Sequence, residues 1–224
     1  MIHKRTRVKI CGFTRVEDVV SAINLGVDAI GLVFYKNSKR FISIEQANNI
    51  RKEIPPFVDV VALFVNATKS EINLVQDKIS PDFLQFHGNE SEDFCSMFKQ
   101  KFLKAFRVGS PGLENSSDLE HACKSYSSAS GWLFDSYTEG YGGSGISFDY
   151  NILHPLCRSF IKHHVIVSGG VNENNVENII RYLDPFALDF SSCVEISPGI
   201  KSLEKMSNIL SVIERTKNCV SINT

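Results

Sequence analysis

The chain has 224 residues, a formal net charge of −1, 43% hydrophobic residues and 22% charged residues. These values are ordinary for a globular protein, and the nearly neutral charge gives no field that would favour nucleic acid or an anionic membrane. No apolar run is long enough to span a bilayer, and the basic start leads into no signal-type stretch. We therefore expect a cytoplasmic protein with no nucleic-acid or membrane partner. We also expect a single domain over residues 1–224, with its core at about 7–217.

The six cysteines are scattered along the chain. None forms a Cys-x-x-Cys pair, and no secretion signal precedes them, so the sequence favours neither a disulfide framework nor a zinc site. Cys95, Cys123 and Cys157 fall in predicted helices, where we expect them to pack as small apolar side chains.

Short apolar runs alternate with amphipathic segments along the chain. The predicted strands are Val8–Cys11, Ala29–Phe34, Val58–Val65, Phe83–His87, Phe102–Val108, Gly131–Asp135, His164–Ser168 and Phe186–Ser191. The predicted helices are Arg15–Leu25, Ser43–Lys52, Lys69–Ile79, Ser91–Lys101, Ser117–Ser125, Asp149–Phe160, Asn174–Leu183 and Leu203–Lys217. Thr14 is expected to cap the first helix.

This alternation implies parallel strands joined by right-handed crossovers. An open doubly wound sheet would also fit. However, no segment has the character of an edge strand, and no Gly-x-Gly-x-x-Gly follows the first strand. We therefore predict an α/β fold, a single-domain (β/α)8 TIM barrel.

The active site of such a barrel lies at the carboxyl ends of its strands. The residues there that carry chemistry are Cys11, Arg40, Asn66, His87, Arg107, Asp135, Ser168, Gly169, Gly170, Ser191 and Ser192. Two glycines after the seventh strand let backbone N–H groups approach an anion, and the serines after the eighth strand add donors. These loops are therefore a candidate phosphate site, although a Gly-Gly pair also makes tight turns.

Cys11 and Asp135 are candidates for a catalytic base and acid. A free thiol has a pKa of about 8.5, so it needs nearby positive charge to become a thiolate at neutral pH. The alternatives are that Cys11 is a small core residue and that Asp135 caps a turn. His87 lies on the same rim, where it could make a structural hydrogen bond or contact a substrate.

Strand alternation adds a hypothesis about charge beneath the site. Lys9 shares a face with Cys11, and Asp189 shares a face with Ser191. Closure of the barrel makes the first and eighth strands neighbours, and a buried lysine needs a partner. We therefore predict a Lys9–Asp189 ion pair that influences the Cys11 thiol.

Seven motifs stand in order at the strand ends. They are Lys9–Thr14 (KICGFT), Phe34–Arg40 (FYKNSKR), Gln85–Gly88 (QFHG), Phe134–Asp135 (FD), Tyr141–Gly145 (YGGSG), Ser168–Gly170 (SGG) and Ser191–Glu195 (SSCVE). Through them the chain, from about Arg7 to Lys217, resembles the phosphoribosylanthranilate isomerase family of tryptophan biosynthesis.

The resemblance implies an Amadori rearrangement of N-(5′-phosphoribosyl)anthranilate to 1-(2-carboxyphenylamino)-1-deoxyribulose 5-phosphate. Asp135 would be the general acid that opens the furanose ring to a Schiff base, and Cys11 the general base that takes the C2′ proton. Arg40 would hold the anthranilate carboxylate, which suits its planar fork. The substrate-binding residues would be Arg40, His87, Gly169, Gly170, Ser191 and Ser192, the last four around the phosphate.

The resemblance further implies no cofactor and no metal, and a phosphorylated aminosugar substrate as the partner of a monomer or homodimer. The segment Gly140–Gly145 is expected to form a mobile loop beside the acid. Two positions depart from the family pattern: Cys193 stands where glycine is usual, and Ser202 stands where aspartate is common.

Other barrels remain as alternatives. The histidine-pathway isomerase would have an aspartate in place of Cys11. Ribulose-phosphate epimerase needs metal ligands from several strand ends, of which only His87 qualifies, and indole-glycerol-phosphate synthase needs catalytic lysines on the rim. A non-catalytic phosphate-binding barrel would bind its ligand without forming product, and it would need neither Cys11 nor Asp135.

Overall fold

The computed structural model of the chain describes residues 5–138, 147–159 and 164–220. Within those ranges eight parallel strands form a closed barrel in sequential order, β1 to β8. The strands are β1 (Arg7–Cys11), β2 (Ala29–Val33), β3 (Asp59–Phe64), β4 (Phe83–Phe86), β5 (Phe102–Val108), β6 (Gly131–Ser136), β7 (His164–Val167) and β8 (Ala187–Phe190). The predicted barrel is confirmed, and every strand boundary agrees with its prediction to within one residue.

Helices follow the strands around the outside of the barrel. They are α1 (Val16–Asn24), α2 (Ile44–Glu53), α3 (Lys69–Ile79), α4 (Glu92–Ser96), α5 (Ser116–Lys124), α6 (His154–Ser159), α7 (Val176–Leu183) and α8 (Leu203–Val220). None of these helices in the described part of the chain has the length and apolar character that crossing a bilayer requires.

Two helices, α4 and α6, are shorter than predicted by several residues, for local reasons. The fourth helix ends with Met97 as its C-cap, and Lys99 then has a φ of +50°, which takes the chain out of helical geometry. The segment before α6 is a 3₁₀ helix over Tyr150–Leu153. Pro155 has no N–H to donate to the carbonyl of Asn151, so a regular α-helical bond pattern cannot extend back through that turn.

The starts of the helices show which residues cap them. Helices α2 and α3 each begin with a capping box, in which Ser43 pairs with Gln46 and Thr68 pairs with Glu71. The expectation that Thr14 caps α1 is wrong, because Arg15 occupies the N-cap position and makes no side-chain cap. The Thr14 hydroxyl instead donates to the carbonyl of Gly199 at 2.6 Å, which joins the first loop to the last.

A small antiparallel hairpin follows β8 and was not predicted. After a 3₁₀ helix over Ser192–Val194, strand β9 (Glu195–Ser197) pairs with β10 (Ile200–Lys201). In this hairpin Lys201 lies opposite Glu195. Both side chains are buried, which places two opposite charges beside the carboxyl end of the barrel.

The core has an outer and an inner part. Strand side chains that point outward pack against the helices and form one large cluster. Those that point inward fill the barrel, with Val61, Leu103 and Leu133 in its lower part and Cys11 and Leu63 nearer the carboxyl ends. This packing fixes the strand ends, from which the candidate site is built.

Phe86 should be a major contributor to stability, because it is fully buried and its ring contacts four other aromatic rings. We expect Phe86→Ala to lower the free energy of unfolding by about 3–5 kcal/mol, from lost burial and the resulting cavity. Urea denaturation followed by circular dichroism measures this change. Phe57, which is fully exposed, provides the matched control, and Phe57→Ala should change stability by less than about 0.5 kcal/mol. Equal effects of the two substitutions would contradict the assigned core.

Candidate active site

Cys11 ends β1 with its thiol in the mouth of the barrel. It is 6% exposed and lies next to Gly31 of β2 in the parallel register. A Cβ atom at position 31 would come within 2.7 Å of the sulfur, so the glycine leaves the space that the thiol occupies. Cys11 is thus both buried and directed toward the site, as a reactive residue at a strand end requires.

The predicted ion pair between Lys9 and Asp189 is confirmed. Nζ of Lys9 lies 2.8 Å from Oδ2 of Asp189, and both side chains are almost fully buried. Within the described residues Oδ1 of Asp189 has no hydrogen-bond partner. Burial raises the pKa of Asp189, and the charge of Lys9 lowers it by less, so the pKa is above its usual value. The pair forms a charged layer inside the barrel, beneath the thiol.

The charges around Cys11 act on its thiol in opposite directions. Burial raises its pKa, and the charge of Asp189 adds to that increase. The positive charge of Lys9 is the strongest influence that lowers the pKa of the thiol. Because the effect of burial is the largest, Cys11 is a thiol in the free protein at neutral pH. The charge of Lys9 partly offsets the free-energy cost of forming a buried thiolate.

This balance predicts opposite shifts for two variants in the pH dependence of Cys11 alkylation. Iodoacetamide reacts with thiolate, so the rate in the unmodified protein should rise only above the ordinary thiol pKa. Lys9→Met should move that rise to higher pH by about one unit or more, and Asp189→Asn should move it lower. Mass spectrometry of the Cys11 peptide gives the rate, with the exposed Lys101→Met as control. Shifts of the same sign in both variants would contradict this account.

Asp135 lies in β6, and both of its carboxylate oxygens are held. Oδ1 accepts a hydrogen bond from the backbone N–H of Ser136 at 2.9 Å, and Oδ2 lies 3.2 Å from Nε2 of His87. The fully buried Gln85 has its Nε2 3.1 Å from Nδ1 of His87. In the assigned amide orientation Gln85 donates to Nδ1, so His87 donates its Nε2–H to Asp135. His87 therefore contacts the proposed acid directly.

The loop after β7 has a backbone shape that suits anion binding. Gly169 and Gly170 have φ angles of +71° and +73°, and a Cβ atom at Gly169 would overlap Ser136. Tyr150 donates to the carbonyl of Gly169 at 2.6 Å, while Asn172 and Asn175 donate to the carbonyl of Gly170. Within the described chain, no hydrogen bond uses the N–H of either glycine, so both remain available to a ligand.

The loop after β8 lies next to this one. The hydroxyl of Ser191 donates to the carbonyl of Cys11 at 3.2 Å, which joins the ends of β8 and β1. Ser192 is the first residue of the short 3₁₀ helix, and Cys193 is the second. The φ of Cys193 is not positive, so a side chain fits there without backbone strain and glycine is not required.

Arg40 is buried beside Gly12 and is held by an acidic partner that sequence reasoning missed. Its Nε lies 2.9 Å from Oε1 of Glu195, and its Nη2 lies 2.7 Å from Oε2. Burial alone would lower the pKa of Arg40, but the hydrogen bonds and the charge of Glu195 raise it above its usual value. The signal that could have revealed Glu195 is that a buried arginine on the rim needs an acid nearby.

The chain is similar to a known protein family over most of its length. The family model for N-(5′-phosphoribosyl)anthranilate (PRA) isomerase matches residues 8–212. The N-(5′-phosphoribosyl)anthranilate isomerase of Bordetella bronchiseptica is 47% identical over 210 residues, which are 94% of this chain and 96% of the relative. This chain belongs to the phosphoribosylanthranilate isomerase family.

Solved isomerases of this family have the same fold. The crystal structure from Thermotoga maritima superposes with a TM-score of 0.84 at 37% identity, covering 94% of this chain and 99% of the other. Another, solved with reduced 1-(o-carboxyphenylamino)-1-deoxyribulose 5-phosphate, gives a TM-score of 0.81 at 34% identity, with the same coverage.

Not every rim residue of this isomerase-family chain joins the site. Asn66 is hydrogen-bonded to neighbouring loop residues: its backbone N–H donates to Glu90 at 2.6 Å, and its side chain accepts from the N–H of Asn89. The guanidinium of Arg107 lies over the Tyr137 ring, 4.7 Å from its centre. The predicted mobile loop, Gly140–Gly145, lies outside the described residues. Among those that are described, no group of three or more His, Cys, Asp or Glu side chains is arranged to hold a metal ion.

Proposed function

We propose that the chain isomerises N-(5′-phosphoribosyl)anthranilate by general acid and base catalysis, with Asp135 as acid and Cys11 as base. The observation that supports this most is geometric: Arg40 packs against Gly12, the residue after Cys11, and Asp135 lies beside Gly169 of the candidate phosphate loop. The family member bound to the reduced deoxyribulose phosphate holds a ligand with a carboxylate at one end and a phosphate at the other.

In the first step, Asp135 donates its proton to the furanose ring oxygen. The bond between that oxygen and C1′ breaks, and the nitrogen lone pair forms the C1′=N bond of a protonated Schiff base. The carboxylate that remains accepts hydrogen bonds from the Ser136 N–H and from His87, and these stabilise its developing charge. His87 thus supports the acid, while its position on the rim is also compatible with contact to the substrate.

In the second step, the Cys11 thiolate removes the proton from C2′. The C–H electrons form a C1′=C2′ double bond and neutralise the iminium nitrogen, giving an enolamine. This becomes the ketose when C1′ takes up a proton and the C2′ hydroxyl loses one. Lys9 stabilises the thiolate, since it is the strongest influence that lowers the pKa of Cys11. The second step therefore requires Cys11 in its thiolate form.

Binding is divided between the two ends of the substrate. The unused N–H groups of Gly169 and Gly170, together with Ser191 and Ser192, would hold the phosphate. Arg40 would hold the anthranilate carboxylate, because a guanidinium can form two parallel hydrogen bonds to it. These assignments leave the reacting carbons between the two anchors, near Cys11 and Asp135.

Loss of anthranilate-type fluorescence, after the purified protein is mixed with freshly generated phosphoribosylanthranilate, tests this function. The expected result is turnover that depends on enzyme concentration and needs no added metal or cofactor. Ligand binding without loss of fluorescence beyond spontaneous decay would contradict the proposal and would favour a binding protein.

Arg40→Ala should act mainly on substrate binding. A hydrogen bond to a charged group contributes about 1.5–3 kcal/mol, so we expect KM to rise roughly 10- to 100-fold. The variant should fold, because Glu195 keeps Lys201 as a partner at 2.8 Å. Steady-state fluorescence kinetics separates KM from kcat. A fall in kcat with unchanged KM would contradict carboxylate binding by Arg40.

The assembly and location of the enzyme remain predictions. A dimeric phosphoribosylanthranilate isomerase from Thermotoga maritima is known, and we propose that this chain is a monomer or a homodimer. We also propose that it acts in the cytoplasm on a phosphorylated aminosugar substrate. Size-exclusion chromatography with light scattering determines the number of chains.

A further inference from the structure

Two buried charges at the mouth of the barrel have no part in the proposed reaction. Glu195 and Lys201 face each other across the β9–β10 hairpin, and their side chains are 4% and 0% exposed. Burial of charged groups is costly unless each is paired and hydrogen-bonded. A buried ion pair is therefore weak evidence for stability alone, and this one lies beside the proposed catalytic thiol.

Glu195 makes two contacts with the Arg40 guanidinium. Its two oxygens accept from Nε and Nη2 of Arg40 at 2.9 and 2.7 Å, which is the parallel two-bond geometry. This contact uses one edge of the planar group. Within the described chain, Nη1 of Arg40 makes no hydrogen bond, and it is not among the buried polar atoms that lack a partner. The Nη1 edge of the fork is thus open.

Lys201 fixes Glu195 to the ends of two strands. Its ammonium donates to Oε1 of Glu195 at 2.8 Å and to the backbone carbonyl of Cys11 at 2.6 Å. It also lies 3.4 Å from the carbonyl of Ser191. One buried lysine therefore connects the acid that holds Arg40 to the backbone of the proposed base and of the phosphate loop.

The charges of this group add up to a surplus. Arg40 and Lys201 carry two positive charges, and Glu195 carries one negative charge, so the three together are left with +1. Interaction with both cations holds the pKa of Glu195 below its usual value despite burial. Burial lowers the pKa of Lys201, and the charge of Glu195 opposes that decrease. With Glu195 ionised and both cations charged, the three side chains together have one positive charge in excess.

We propose that Glu195 and Lys201 are positioning residues for carboxylate recognition. Glu195 turns the open edge of Arg40 toward the substrate carboxylate, and Lys201 sets the distance of that edge from Cys11 and from the phosphate loop. The inference rests on the proposed role of Arg40 and extends it. Selectivity for a carboxylated aryl amine is then determined by the hairpin as well as by the arginine.

The test compares two ligands on the whole protein. One is reduced 1-(o-carboxyphenylamino)-1-deoxyribulose 5-phosphate, and the other is the same molecule without its carboxylate. The ratio of their dissociation constants, measured by calorimetry, is the carboxylate selectivity. A merely structural role would weaken both ligands equally and leave this ratio unchanged.

Glu195→Gln separates positioning from charge, because the two effects have opposite signs. The substitution increases the surplus to +2, so charge alone would raise the selectivity. Loss of positioning should instead lower it roughly tenfold or more, as expected when a charged two-bond contact is lost. The double variant Glu195→Gln with Lys201→Met keeps the net charge of +1 that the three side chains have in the original protein. It should show the same loss of carboxylate selectivity. This double variant provides the test if the single variant does not fold.

Glu204→Gln, at an exposed position on α8, is the matched control and should keep the original ratio. Unchanged or increased selectivity in the Glu195 variants would overturn the inference. Arg40→Ala distinguishes that result from failure of the proposed function. If Arg40→Ala itself keeps the selectivity, the carboxylate assignment of Arg40 is wrong; if it loses the selectivity while Glu195→Gln does not, only the inference fails.

Discussion

Cys11→Ser should lower kcat by about 10²–10⁴-fold, the contribution typical of a general base. The serine hydroxyl is nearly the same size and fits the space left by Gly31, so the barrel should remain intact. However, a hydroxyl is a far weaker acid than a thiol, and Lys9 cannot stabilise its anion to the same extent. Proton removal from C2′ should then limit the rate. The measurement is single-turnover loss of substrate fluorescence.

The controls for this variant separate chemistry from folding. Cys157→Ser, in α6 and outside the mouth of the barrel, should retain full activity. Substrate deuterated at C2′ should slow the residual turnover of Cys11→Ser severalfold, because breaking that C–H bond has become the limiting step. Full activity of Cys11→Ser would show that the base is another residue.

Asp135→Asn should also lower kcat by about 10²–10⁴-fold, since an amide cannot deliver a proton to the ring oxygen. The contacts around it should change as well. An amide N–H directed at His87 would meet the Nε2–H donor, so the histidine proton would have to move to Nδ1. That tautomer requires Gln85 to present its oxygen, which has no partner in the described structure.

The step that limits the residual turnover of Asp135→Asn should differ from the step that limits Cys11→Ser. Ring opening precedes C2′ proton removal, so deuterium at C2′ should have little effect on the residual rate of Asp135→Asn. Asp184→Asn is the matched control, because Asp184 is exposed at the end of α7 with a φ of +48°, which asparagine tolerates. A large deuterium effect in Asp135→Asn would contradict the proposed order of steps.

Features that depend on local pattern were predictable from the sequence. Parallel strands buried on both faces are continuous apolar runs, so their boundaries were predicted to within one residue. The side chain at each strand end then follows, which brought Cys11, His87 and Asp135 to one rim. Strand alternation and barrel closure together predicted the ion pair of Lys9 and Asp189, and the structure confirms it.

Contacts between loops were not predictable in the same way. Arg40 and Glu195 are 155 positions apart; Arg40 lies in a loop, and Glu195 only begins the short strand β9. The hairpin that aligns Glu195 with Lys201 has strands of only three and two residues, too short to give a pattern. Thr14 was predicted as a helix cap because its residue type is common there, whereas its partner Gly199 lies in that hairpin.

Closure of the barrel also has a consequence for biosynthesis. Lys9 precedes Asp189 by 180 positions, so its counter-ion leaves the ribosome long after β1 does. At about 5–20 residues per second, the interval is roughly ten to forty seconds. During that time β1 lacks one of its two neighbours and has an open hydrogen-bonding edge. The nascent chain therefore has an incomplete barrel with an unpaired strand edge until β8 is synthesised. Protection by chaperones should matter most at this stage.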